Sequence, residues 1–382
     1  MIAQADCEIT ASHPLPQLIL RTYQPGTFDY TSHTSERSDA KHLPHLRDWI
    51  QVFRASIPQF KQRAAADTTF PSPLREEKAE DFAQNYGALL DKLDSGSQAE
   101  MPGCSPVSPS CISLCTLREA CLRQEGFEDV FKSVKTEENE KALALLPAVL
   151  RELDAITDHS QRLEMVLRGV FAGNIFDLGA ASSADLFSAN GAAFESTRTN
   201  LLPRPWAVDD LDAVLGVWQR KHYSKALIFV DNAGSDVVLG MLPLARELLQ
   251  RGTAVVLAAN SRPSINDITA DELRAVVQRA AAADAILGRA VDEQMLTVIP
   301  SGNDLPVIDL RKVSAEVVSE GADADLIILE GMGRGIETNL HAQFTVDALK
   351  LGMIKHREVA QMLGGRLYDC VCKYTEGRPE GN

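Results

Sequence analysis

From residue 226 onward, apolar runs and amphipathic stretches alternate along the chain. "ALIFVD" (226–231) is apolar up to its final acid, the pattern of a strand covered on both faces. A helical pattern over 237–250 stops at Gly252, and "AVVLAA" (254–259) predicts a second strand. The three form a β-α-β unit, which implies a parallel pair and a right-handed crossover. Helix 270–286, strand 295–299, helix 313–319 and strand 326–330 ("LIILE") continue the alternation. "LGMIK" (351–355), a short helix and "RLYDCVCKY" (366–374) complete the expected sheet. The fold class is therefore expected to be α/β: a doubly wound, mostly parallel, Rossmann-like sheet with a helical N-terminal region.

The front half reads differently. Residues 1 to about 75 are turn-rich, with short helices expected between 42 and 65. In "REEKAEDFAQNYGALLDKLDSG" (75–96), Phe82, Tyr86, Leu89, Leu90 and Leu93 recur near helical spacing. After a Ser/Pro/Gly loop, helical patterns cover about 111–124, 126–133, 136–155 and 161–172, with no internal repeat. The expected division is an irregular extension (1–70), a helical subdomain (71–200) and an α/β catalytic domain (201–382).

Composition narrows the partners. The 382 residues are 45% hydrophobic and 24% charged, ordinary for a globular protein. Lys plus Arg number 38 against 53 Asp plus Glu, a net charge of −15. Such a surface repels nucleic acid and anionic membranes, so the expected ligands are small molecules and a metal cation. Seven cysteines, an odd and scattered set, suit a reduced compartment. The N-terminal stretch lacks the basic and apolar blocks of a signal peptide, and no apolar run reaches the roughly 20 residues that span a bilayer. A cytoplasmic location is expected.

Ligands of open parallel sheets bind outside the carboxyl ends of the strands. Asp231 and Asn232 stand at one such end, and the loop after 254–259 supplies Asn266 and Asp267. Two carboxylates and an amide oxygen would make a hard oxygen site for Mg²⁺ or Mn²⁺. Equally, Asp231 and Asn232 would simply begin a turn and Asp267 would cap the next helix. "LEGMGRGIETN" (329–339) places Gly331, Gly333 and Gly335 after another strand, where backbone N–H groups and Arg334 would approach an anion; a glycine-rich turn without function fits as well. Lys355 at the end of "LGMIK", and with less support Lys350, would add an ammonium to the same crevice. Asn174 and Asp177 sit three apart inside an apolar stretch, where polar groups need partners. Cys104, Cys111, Cys115 and Cys121 lack zinc-knuckle spacing and read as buried packing thiols. Nucleophile-elbow and P-loop patterns are absent, and Ala233 stands where a haloacid-dehalogenase-type phosphatase has its second Asp.

Several stretches, "RGVFAGNIFDLGA", "LLPRPWAVDDLD", "IFVDNAGSDVVLGMLPLARELLQRG", "VVLAANSRPSINDIT", "SGNDLPVIDL", "EGMGRGIETNLHAQF" and "LGGRLYDCV", together resemble the metal-dependent damage-control phosphatases, a former domain of unknown function. The resemblance runs from about residue 70 to about 375. It is strongest to the stand-alone plant type, related to the C-terminal domain of the animal pantothenate-kinase-like protein number four. It implies a metal site of Asp231, Asn232 and Asp267, with Co²⁺ or Ni²⁺ as further candidate ions. It also implies that Gly173, Asn174 and Asp177 border the active site, and that Lys355 and the loop from Gly331 to Gly335 bind phosphoryl oxygens. The implied reaction is hydrolysis of a small-molecule phosphate ester, 4'-phosphopantetheine and more readily its oxidised forms. That would keep damaged pantetheine out of coenzyme A. Whether Asp231 or an activated water attacks stays open, as does the oligomeric state. A sugar-phosphate phosphatase and an inactive metal- or phosphopantetheine-binding regulator are the alternatives.

Overall fold

The computed structural model describes residues 13–26, 46–70, 73–96, 109–175 and 191–379. Three helices come first: α1 (Leu46–Ala66), α2 (Arg75–Asp94) and α3 (Cys111–Gln124). In α1, Leu46, Trp49, Ile50, Phe53, Phe60 and Ala64 recur three or four residues apart, apart from the gap around Pro58, and are buried. Packing of this stripe holds one helix together through Pro58, where the sequence suggested shorter pieces. A capping box starts α3, with Ser110 and Ser113 bonding each other's backbone N–H. The expected helix at 126–133 is instead a turn containing Gly126, at φ +90°.

α4 (Lys132–Asp154), α5 (His159–Ile175), α6 (Gly191–Thr199) and α7 (Leu211–Arg220) follow, with the short β1 (Val208–Asp209) before α7. The α/β alternation then runs β2 (Lys225–Phe229), α8 (Leu242–Gln250), β3 (Ala254–Ala259), α9 (Ala270–Ala283), α10 (Ala285–Asp292), β4 (Leu296–Pro300), α11 (Ala315–Gly321), β5 (Leu326–Glu330), β6 (Asp347–Met353), α12 (Arg357–Leu363) and β7 (Cys370–Thr375). The single helix expected at 270–286 is split. Asp284 is extended, and its carboxylate accepts from the N–H groups of Ile286 and Leu287, starting a new helix. "LGMIK" is only partly strand, since β6 begins four residues earlier and ends at Met353.

The sheet order is β1-β7-β6-β5-β2-β3-β4. All neighbours are parallel except β6 and β7. From β2 the chain moves outward through β3 and β4, then returns to β2's other side at β5. The switch point therefore lies between β2 and β5, where a crevice opens at the strand ends. Side chains alternate faces as a strand requires. Ala226, Ile228 and Val230 join the core under α4, α5, α8 and α9, whereas Leu227 and Phe229 meet Leu15, Leu18, Tyr23 and Phe344 on the other face. A third core joins α1, α2 and α3 to Val307, Met332, Ile336 and Ile354. These cores join residues on both sides of positions 70 and 200.

Two π-helical turns, Asp236–Met241 and Met332–Glu337, follow β2 and β5. Wide turns of this kind recur at functional sites. α5 lies directly on the first. A Cβ on Gly173 would stand 2.7 Å from the Ser235 carbonyl oxygen and 2.9 Å from the Asp236 Cα. Gly173→Ala is expected to destabilise the fold by about 1–3 kcal/mol through overpacking, read as a lower urea midpoint with an unchanged slope.

Candidate active site

β2 delivers Asp231 and Asn232 to the crevice, and the loop after β3 is laced to them by backbone bonds. Ala233 N donates to the Asn266 carbonyl at 2.9 Å and Ile268 N to the Asp231 carbonyl at 3.0 Å. Asn232 and Asp267 thereby form a bridge. Asp267 does not cap α9; Thr269 does, in a capping box with Glu272. The structure thus brings Asp231, Asn232 and Asp267 together, all buried.

Two further acids converge here. Glu330, the last residue of β5, accepts from Asp231 N at 2.8 Å. Asp236, in the first π turn, accepts from the side-chain amide of Asn232 at 2.8 Å. Asp231, Asp236 and Glu330 each offer an oxygen, all within 4.8 Å of one another. Asn174, fully buried, joins them: its amide donates to Asp236 at 2.9 Å and Glu330 at 3.0 Å, and its oxygen accepts from Met353 N. Asn174 therefore holds the acids from behind and does not line the cavity. Asp177 lies outside the described residues.

Arg334 supplies the cation among these acids. Its guanidinium pairs with Asp231 and donates at 2.8 Å to Asp267 and at 2.9 Å to the Asn260 oxygen. The sequence placed Arg334 and the glycine N–H groups around an anion, and the geometry is different. Gly331 N already donates to Leu351 and Gly335 N to Gly331, while Arg334 faces carboxylates. The glycines instead permit close approach. Gly331 has φ +97°, and a Cβ there would collide with the Asp231 carboxylate; one on Gly333 would collide with the Pro306 carbonyl. On Gly335 it would stand 3.0 Å from the Leu329 carbonyl oxygen.

Burial sets the proton balance. It pushes the Asp231 carboxyl well above the usual range, against the pull of Arg334 and Lys355 and with the help of Asp267 and Asp236. Burial, Asp236 and Asp231 likewise push Glu330 up. Burial works against the Arg334 charge as well, yet Asp267 and Asp231 hold its pKa above the ordinary value.

A cavity of about 310 Å³ opens onto this cluster, lined by Asp231, Asn232, Gly333, Lys355 and His356 on the sheet side. Its other lining residues come chiefly from α1 and α3, a contribution not foreseen from the sequence pattern. Lys350 is elsewhere. Strand alternation turns it to the face of Ala348, where its ammonium donates to the carbonyls of Leu340 and Ala342. Glu330 and Asp236 were missed in the sequence. The signal for Glu330 was there, an acid closing an apolar strand just as Asp231 does. Of the cysteine cluster, Cys111, Cys115 and Cys121 are buried in the α1–α3 core, whereas Cys104 lies outside the described residues.

Comparison with known proteins bears on this site. Residues 52–371 match the family described as "Damage-control phosphatase ARMT1-like domain". Damage-control phosphatase At2g17340 of Arabidopsis thaliana is 50% identical over 98% of this chain and 99% of its own. A 4'-phosphopantetheine phosphatase of Mus musculus is 32% identical over 92% of this chain, which spans 47% of that protein. A crystal structure of a DUF89 family protein from Pyrococcus horikoshii shares the fold, with a TM-score of 0.58 at 18% identity over 86% of this chain and 97% of that one.

The placement of Lys350 generates a stability prediction. Burial, aided by Lys373, lowers its pKa from 10.5 to about 7. Between those values the unfolded chain holds a proton that the folded chain lacks, so stability rises with pH across the window. Denaturant melts of wild type and Lys350→Met from pH 7 to 10 should shift steadily in favour of wild type, by at most about 1.4 kcal/mol per pH unit. A constant difference would show Lys350 to be charged throughout.

Proposed function

The chain belongs to the damage-control phosphatase ARMT1-like family and is a phosphatase, and on that premise we propose that it hydrolyses 4'-phosphopantetheine and its oxidised forms with the help of a divalent cation. The observation that carries the metal reading is the set of oxygen donors closing on one point at the switch between β2 and β5. The donor chemistry fits a hard ion. Asp231, Asp236 and Glu330 offer carboxylate oxygens within 4.8 Å of one another, and the buried side-chain oxygen of the adjacent Asn232 accepts no hydrogen bond from any described residue. By resemblance to the family, Asp231, Asn232 and Asp267 would hold the ion, with Asp236 and Glu330 beside Asp231 as further oxygen donors, and Mg²⁺ or Mn²⁺ favoured over Co²⁺ or Ni²⁺. When bound, such an ion supplies Lewis-acid polarisation of the phosphoryl group and offsets its charge.

The remaining roles belong to side chains. Asn232 donates to the Asp231 carboxylate at 2.9 Å, fixing which way its oxygens point. Arg334 pairs with both Asp231 and Asp267 and ties the two carboxylates together. Asn174 and Glu330 anchor the first π turn and the Asp231 backbone from below. Lys355, lining the cavity and close enough for its charge to act on Asp231, would receive a phosphoryl oxygen. Hydrolysis then breaks the bond between phosphorus and the ester oxygen. Water's oxygen ends on phosphorus, and the released alcohol takes a proton. The substrate reading is supported by the names of the relatives and by a cavity far roomier than a phosphate needs.

Phosphate release from 4'-phosphopantetheine, its S-oxidised form and fructose 1-phosphate tests the proposal, each with Mg²⁺, Mn²⁺, Co²⁺, Ni²⁺ or excess chelator. Release is expected to require metal, to favour the pantetheine esters and to vanish in Asp231→Asn. Preference for the sugar phosphate would keep the site and reject the substrate. Because Asn174 acts only through the acids, Asn174→Ala should lose about 10–100-fold in activity or metal affinity. Raised metal concentration should restore part of that loss.

A further inference from the structure

The cavity over the acid cluster has a second wall made by helices that take no part in the sheet. We propose that Trp49, Phe53, Ser56 and Phe60 of α1, with Arg118 of α3, form the subsite for the alcohol arm of the phosphoester, and that Arg118 donates to an oxygen of that arm. This rests on the phosphatase reading above and adds to it the residues that choose the substrate.

Size is the first argument. About 310 Å³ falls at the lower bound of pockets that hold small organic molecules, whereas one water's share of liquid is about 30 Å³. A phosphoryl group against Asp231, Asn232 and Lys355 leaves most of that space to whatever the phosphate is esterified to.

Chemistry is the second. Trp49, Phe53 and Phe60 present rings, which suit methylene, gem-dimethyl and sulfur groups. They leave the hydroxyls of a compact sugar without partners, a loss that discriminates strongly. Arg118 is the charged member of this wall. The residue is only 6% exposed, and its guanidinium lies 4.6 Å from the Phe60 ring centre and 6.0 Å from that of Phe53 and is fixed from one side by Glu119. Nε and Nη2 donate to the Glu119 carboxylate at 3.0 and 2.9 Å. No described residue accepts from Nη1, which is left to an oxygen of the ligand. The arm this wall recognises is flexible and largely apolar, with an amide or S-oxide oxygen along it.

Position is the third argument. α1 and α3 share a core with Met332, in the turn that carries Arg334. The wall is thus held in register with the acids by packing, which a specificity surface requires.

Ser56 is half-buried and lines the cavity without belonging to the core, so Ser56→Trp narrows the subsite and removes no packing. Kinetics of wild type, Ser56→Trp and Arg118→Lys would be measured on 4'-phosphopantetheine and on glycerol 2-phosphate with Mn²⁺, beside calorimetric binding of unphosphorylated pantetheine. The ratio of kcat/KM between the long and the compact ester should fall about tenfold or more in each variant, through KM rather than kcat. Pantetheine should bind wild type and not Ser56→Trp. Equal losses on both esters, or unchanged pantetheine binding, would overturn the subsite. If wild type cleaves neither ester, the phosphatase reading fails separately; pantetheine binding abolished by Ser56→Trp would still sustain the wall, and no binding at all would reject it.

Discussion

Four carboxyl groups, Asp231, Asp236, Asp267 and Glu330, are buried together where β2, β3 and β5 end, and the rest of the site answers to the cost of putting them there. Like charges out of water are tolerated only with counter-charge and hydrogen-bond donors. Two cations are at hand, Arg334 in the middle of the group and Lys355 at its edge. Four negative charges against two positive ones leave two uncompensated. Proton uptake resolves that imbalance in the protein alone, which is why burial drives Asp231 and Glu330 upward. A divalent ion would resolve it with the carboxylates ionised. The same electrostatic deficit that makes the cluster expensive suits it to a cation.

The amides follow from that deficit. Asn174, Asn232 and Asn260 all direct side-chain N–H groups at these carboxylates. Each lowers the cost of burial and fixes a carboxylate orientation that charge alone would leave loose. Backbone shape follows too. The acids meet only because Gly331 can pass against Asp231 and because Gly173 lets α5 lie on the first π turn. The glycines that read in sequence as an anion cradle also act as spacers, Gly331 against the Asp231 carboxylate and Gly333 and Gly335 against backbone carbonyls.

This explains what was legible beforehand. The alternation of strands and helices was plain, because strands covered on both faces and amphipathic helices leave strong periodic signals. Asp231, Asn232 and Asp267 were legible because strand ends fix which loops meet in an open parallel sheet. The fates of Lys350 and Arg334 were not. Lys350 is assigned by the register of β6, and a one-residue change in register reverses the face. Arg334 is assigned by the π turn, whose extra residue per turn redirects a side chain that helical or turn spacing would have sent toward the ligand. The helix α1 was half-seen as short pieces, since its continuity through Pro58 depends on partners elsewhere in the chain.

The division of labour between layers gives the site its character. The acids, amides and Arg334 all belong to strand ends and the turns that leave them, so their relative positions are set by sheet register and by backbone bonds between adjacent loops. The aromatic residues of the wall belong to α1 and its arginine to α3, and among the residues that line the cavity these helices touch the sheet layer through side chains, by packing and by the hydrogen bond from Cys111 to Glu337. Backbone-determined geometry resists substitution, whereas packed side chains can be exchanged for others of similar volume at modest cost. Chemistry at phosphorus is therefore held by the part of the molecule that substitution alters least. Selection of the esterified group falls to the part that can change without disturbing it.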